Sequence, residues 1–113
     1  MNGFSRVQIF IVTALLATIC IVNAETLMVP SQYATIQEGI QAAQPGDIVE
    51  IADGIYTGPG NYNMDFDGKA ITVQSQNGPE NCTIQISSSN ARGFIFNSGE
   101  TLDSVLRGVT ITG

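Results

Sequence analysis

The residues able to do chemistry are few and scattered. The chain has 113 residues, no histidine, ten carboxylates and only four basic side chains. Its two thiols, Cys20 and Cys82, lie far apart, so zinc coordination of the usual Cys/His kind is unsupported. Asp65 and Asp67 are two positions apart and would share a face on a strand. A Ca²⁺ site would need several more oxygen ligands than Asp65-Phe66-Asp67-Gly68 supplies. The segment reads instead as a solvated acid pair flanking a core phenylalanine and ending in a turn. Asp47, Glu50 and Asp53 fall in and around one strand and its loops. Glycoside hydrolysis needs two carboxyls at a set separation, one held protonated by its surroundings, and the sequence offers no such pair. Lyase chemistry needs a base and a stabiliser of an enolate-like anion. Arg92 and Arg107 stand apart and read as surface residues. Cys82 reads as a small buried apolar residue. Asn81-Cys82-Thr83 fits the N-glycosylation pattern, but we read it as a chance match. No catalytic, cofactor-binding or metal-ligating residue is therefore assigned, and no cofactor is expected.

The chain opens with the anatomy of a secretory signal. Arg6 provides the positive region, Val7 to Val22 is mostly apolar, and Val22-Asn23-Ala24 places small residues where a signal peptidase cuts. A membrane anchor is disfavoured because Gln8, Thr13 and Thr18 interrupt the run and no basic cluster follows. Residues 1–24 are thus expected to be a cleaved signal, leaving 25–113 outside the cytoplasm with no stable span. A lipid-modified Cys20 is disfavoured, since Ile19 stands where such a site needs a small residue. The mature segment keeps all ten acids against Lys69, Arg92 and Arg107, a formal charge of −7. Such an acidic product is a poor match for phosphate backbones, so nucleic acid is not an expected partner.

Positioning elements follow from pattern. Thr35 and Glu38 have the spacing of a reciprocal capping box, and Ile36, Ile40 and Ala43 recur on one helical face, which predicts a short helix over 35–43. Gly39 weakens it by about 1 kcal/mol relative to Ala, so packing must hold it. Pro45-Gly46-Asp47 ends it. Beyond lie short apolar runs: Ile48–Ile51, Ile71–Val73, Thr83–Ile86, Phe94–Phe96 and Val109–Thr112, separated by Gly-, Asn- and Pro-rich turns. Ile48 to Ile71 and Ile71 to Phe94 are each 23 positions, and Ile84 to Val109 is 25. A near-constant period of this size predicts a solenoid, and strands joined only by turns make it a β-helix. A small β-sandwich is the competing fold. A helix preceding the strands is placed to cover the open end of a stack, where apolar core and unpaired backbone would otherwise be bare. Asn61, Asn63, Asn90 and Asn97 are candidates for side-chain ladders at the turns.

Tyr33-Ala34-Thr35-Ile36-Gln37-Glu38-Gly39-Ile40-Gln41-Ala42-Ala43-Gln44-Pro45-Gly46-Asp47-Ile48-Val49 resembles the opening of right-handed parallel β-helix proteins of the pectin lyase-like superfamily. So do Asp53-Gly54-Ile55-Tyr56, Asp67–Val73 and Leu106–Gly113. The resemblance spans nearly all of the mature segment and implies an all-β solenoid with an N-terminal capping helix. It also implies that catalytic residues, in members that have them, lie on later coils. Pectinesterases share a similar opening.

Two functions are expected from this reading. One is a secreted or cell-surface β-helix that binds carbohydrate or adheres, with a polysaccharide or cell-surface glycan as partner. The other is a pectin lyase-like or pectinesterase-like enzyme whose catalytic residues lie beyond Gly113. In either case residues 25–113 are expected to be the cap and first coils of a truncated β-helix, because the sequence stops directly after an Ile/Thr strand.

Overall fold

A computed structural model describes residues 23–113, so nearly all of the expected signal lies outside the described residues. The elements run β1 (Thr26–Val29), α1 (Ile36–Ala42), β2 (Ile48–Ile51), β3 (Gly54–Tyr56), β4 (Met64–Asp65), β5 (Thr72–Ser75), β6 (Cys82–Gln85), β7 (Phe94–Ile95), β8 (Val105–Arg107) and β9 (Thr110–Thr112). A 3-10 turn at Pro79–Asn81 leads into β6.

The strands form three small sheets, ordered β1-β2-β5-β8, β3-β6-β9 and β4-β7, and every pairing is parallel. From β2 onward the chain visits the sheets in one repeating order. β2, β3 and β4 make the first round, β5, β6 and β7 the second, and β8 and β9 follow. Alternation along each strand sends one set of side chains inward. Leu27, Val49, Val73 and Leu106 stand in register, as do Tyr56, Ile84 and Ile111, and Met64 with Phe94. One apolar cluster joins all three sheets to the helix.

The regular period predicted from sequence does not survive. Ile48 pairs with Thr72, not Ile71, and Phe94 lies over Met64 in a different sheet. In the first sheet, successive partners are separated by 22 positions (Thr26 to Ile48), 24 (Ile48 to Thr72) and 33 (Thr72 to Val105). The second sheet steps by 28 (Gly54 to Cys82) and 27 (Thr83 to Thr110). Strand stacking fixes the register of paired residues but leaves the turns between sheets free to vary in length, so apolar spacing alone cannot give the pairing.

α1 forms as its sequence dictates. Thr35 is extended and its Oγ1 accepts from the Glu38 amide at 3.2 Å. The Glu38 carboxylate reaches back to the Ala34 amide at 3.1 Å, one residue earlier than a reciprocal box requires. Ile36, Ile40 and Ala43 are all fully buried. The missing side chain of Gly39 lets the helix come close to β1 and β2: a Cβ there would lie 2.9 Å from Val49 Cγ1 and 3.1 Å from Val29 Cγ2.

Candidate functional site

The acid pair is not a ligand set. Asp65 ends β4, while Asp67 takes a left-handed conformation (φ 53°) and its amide donates to Asp65 Oδ1 at 2.8 Å. The two do not share a strand face, because the chain turns between them. Among the described residues no three His, Cys, Asp or Glu side chains converge on a point that could hold a metal.

Cys82 is wholly buried and makes no disulfide among the described residues, as its reading as a small core residue requires. Burial pushes its thiol up, with the nearby Asp53 charge adding to the shift. A thiol held protonated is a weak nucleophile. Tyr56 is raised for the same first reason, then by Cys82 and Asp53, and its hydroxyl donates to the Ala52 carbonyl at 2.7 Å. Asp53 accepts from Asn77 Nδ2 at 2.9 Å. The group braces adjacent rounds of the chain.

The predicted asparagine ladders are absent among the described residues. Asn61 is buried and caps the helix instead: its Oδ1 accepts from the Ile36 amide at 3.0 Å and its Nδ2 donates to the Thr57 carbonyl at 2.9 Å. Asn63 accepts from the Arg92 amide at 2.7 Å. Asn61 and Asn63 are thus committed to backbone of another segment, and Asn97 accepts from the hydroxyl of its neighbour Ser98. Sequence reasoning also missed Asp47, which is buried and accepts from the Glu25 amide at 2.9 Å and the Gln44 amide at 2.8 Å. The turn at Pro45-Gly46-Asp47 was its only local signal.

What remains is the outward face of the four-stranded sheet. Met28, Glu50, Gln74 and Arg107 occupy one row in register, beside Thr26, Ile48, Thr72 and Val105. Parallel strands place successive members about 4.8 Å apart. Arg107 Nε donates to Gln74 Oε1 at 3.0 Å, which fixes the guanidinium over the face. Carboxylate, amide and guanidinium thus follow one another along the row, mixing acceptors and donors. Such a row can hydrogen-bond a chain of hydroxyl groups. Among its members no nucleophile stands next to a base.

Among the described residues no helix is long and apolar enough to cross a membrane. The chain matches no family model, no curated protein and no solved structure.

Proposed function

We propose that this chain is the N-terminal part of an exported, right-handed parallel β-helix of the pectin lyase-like kind, which displays a surface that binds carbohydrate or mediates adhesion. The single observation that supports the reading is the return of the chain to the same three parallel sheets in an unchanging order, with inward apolar rows in register. A two-layer sandwich would instead be dominated by antiparallel pairs. In this reading α1 closes the first end of the stack. The Glu50–Gln74–Arg107 row is the binding face, since it offers a polymer a repeating set of polar contacts.

The secreted protein should begin at Glu25, which N-terminal sequencing of exported material tests. Applied to an array of neutral and uronic-acid polysaccharides, it should be retained saturably by at least one polymer. Replacing Gln74 and Arg107 together by Ala should weaken that retention tenfold or more with no loss of folded structure. Absence of retention on every polymer sinks the carbohydrate reading. Release of shortened or unsaturated products would move the assignment to a polysaccharide-degrading enzyme.

A further inference from the structure

We propose that α1 is a lid clasped from a distant segment, and that the ammonium of Lys69 is its latch, so that acylation of this one amine opens the lid. Lys69 is the only lysine of the chain. α1 has seven residues, too few to be stable in isolation. No basic residue lies in its last turn to satisfy the carbonyls left over there. Lys69 does so from 26–29 positions away. Its Nζ donates to the carbonyls of Ile40, Gln41 and Ala43 at 2.9, 2.8 and 2.9 Å. An ammonium has three donors, and all three are used here.

The other end of α1 is held from the same stretch of chain. The Gln37 amide donates to the Gly60 carbonyl at 2.9 Å, and Asn61 caps Ile36. The Gln37 side chain both accepts from the Asp65 amide at 2.8 Å and donates to its carbonyl at 3.3 Å. Residues 60–69 therefore grip the helix from end to end. The turn carrying Lys69 is fixed in its own right. The Gly68 amide donates to Glu100 Oε2 at 2.9 Å, and Ser104 Oγ donates to the Lys69 carbonyl at 2.8 Å. Gly68 has φ 75°, and a side chain there would run into the Ser98 carbonyl. A fixed backbone with a charged tip on a flexible stem suits a latch: the anchor stays while the tip is bound or released.

Beneath the lid lie Val29 and Val49, fully buried. Acylation by an activated ester or thioester takes place when the latch is momentarily open and Nζ has lost a proton to water. The amine lone pair forms the amide C–N bond, the acyl–oxygen or acyl–sulfur bond breaks, and an alcohol or thiol leaves with the second proton. A neutral amide with one N–H replaces the charged group with three. The three carbonyls then lose their shared donor, and the helix end frays.

The test uses the exported chain itself. Mild acetylation of the folded protein modifies Lys69 and the α-amine, and the two monoacetyl species can be separated. Amide hydrogen exchange is then followed in a peptide over 36–43 and in peptides over β5 and β6. Acetyl-Lys69 should exchange at least tenfold faster over 36–43, with β5 and β6 unchanged, while the α-acetyl form matches the unmodified protein. The variant Lys69→Ala should show the same local acceleration. n-Propylammonium, which restores the removed atoms, should reverse it, and 1-propanol should not. Unchanged exchange over 36–43 overturns the proposal. So does an equal rise over β5 and β6, which would make Lys69 a residue of global stability. Equal effects of the charged and neutral additives would remove the ammonium from the account.

Discussion

The first and last strands of the parallel sheets carry the same kind of inward side chain and differ in how well they hide it. At the helix end, Val29, Ile36, Ile40 and Val49 are fully shielded. At the far end Ile111, in register with the fully buried Ile84, keeps 45% of its surface exposed, and Phe96, packed against the fully buried Phe66, keeps 47%. An inward residue is covered only when something lies on both sides of its own round. At one end α1 packs against the fully buried Val29 and Val49. At the other, β7, β8 and β9 pair on one edge only among the described residues. Residue type is therefore a poor guide to what a substitution costs here, and position in the stack is a good one.

The largest expected contrast lies within the aromatic cluster. The ring of Phe66 packs against Phe94 and Phe96, at centroid distances of 6.2 and 4.8 Å. Phe66→Ala should cost about 3–5 kcal/mol, the range for a buried aromatic whose cavity cannot collapse. Phe96→Ala removes the same atoms from a half-exposed site and should cost about 1 kcal/mol, since much less area returns to water. Urea denaturation of both variants measures the gap. Equal costs would mean that Phe96 is as well shielded in solution as Phe66.

A smaller effect probes the helix end, where two opposing terms meet. Gly39→Ala gains about 1 kcal/mol of helix propensity. Its new methyl would stand 2.9 Å from Val49 Cγ1, and both Val49 and Val29 are stiff, fully buried side chains. Overpacking of this kind costs about 1–3 kcal/mol. The net should be destabilising by up to about 2 kcal/mol, measured as a lower urea midpoint with unchanged slope. A stabilised variant would mean that the helix stands further from β1 and β2 than described.

The contrast between ends also explains what could be read from sequence. The helix was legible because its signals are local: Thr35 three positions before Glu38, and an apolar face at Ile36, Ile40 and Ala43. The strand-rich character was legible from short Val/Ile runs with turns between them, whereas the parallel arrangement was argued from a 23-residue period that the registers do not keep. The register was not, because the 18 residues from Ser87 to Ser104 hold only the two-residue β7 and otherwise irregular chain, which lengthens the step from β5 to β8. The clasp was not legible either. Asn61, Asp65 and Lys69 meet α1 only after the chain has travelled a full round, and nothing in their own neighbourhoods marks them as helix partners. The outward row Glu50–Gln74–Arg107 depends on the same pairings and was hidden for the same reason.

The smallest expected effect lies between the ends, at Cys82 and Tyr56, and its sign follows from burial. Both groups are shifted upward, first by desolvation; the Asp53 charge adds to the shift of Cys82, and Cys82 and then Asp53 add to that of Tyr56. In the unfolded chain they ionise in their usual ranges, a thiol near about 8.5 and a phenol near about 10. Between those values and the raised ones, the folded protein holds more protons than the unfolded chain, so stability falls as pH rises. The contribution is complete below the unfolded thiol range and is lost as pH climbs through the folded values. The urea midpoint should therefore be flat through neutral pH and decline above about pH 8.5. Cys82→Ala should remove the first part of that decline and reduce, without abolishing, the part due to Tyr56, because Cys82 contributes to the Tyr56 shift. The same variant loses a buried sulfur, so its midpoint is lower at every pH, and only the change in slope reports the thiol. A decline of equal steepness in both proteins would place the alkaline transition at Tyr56 alone.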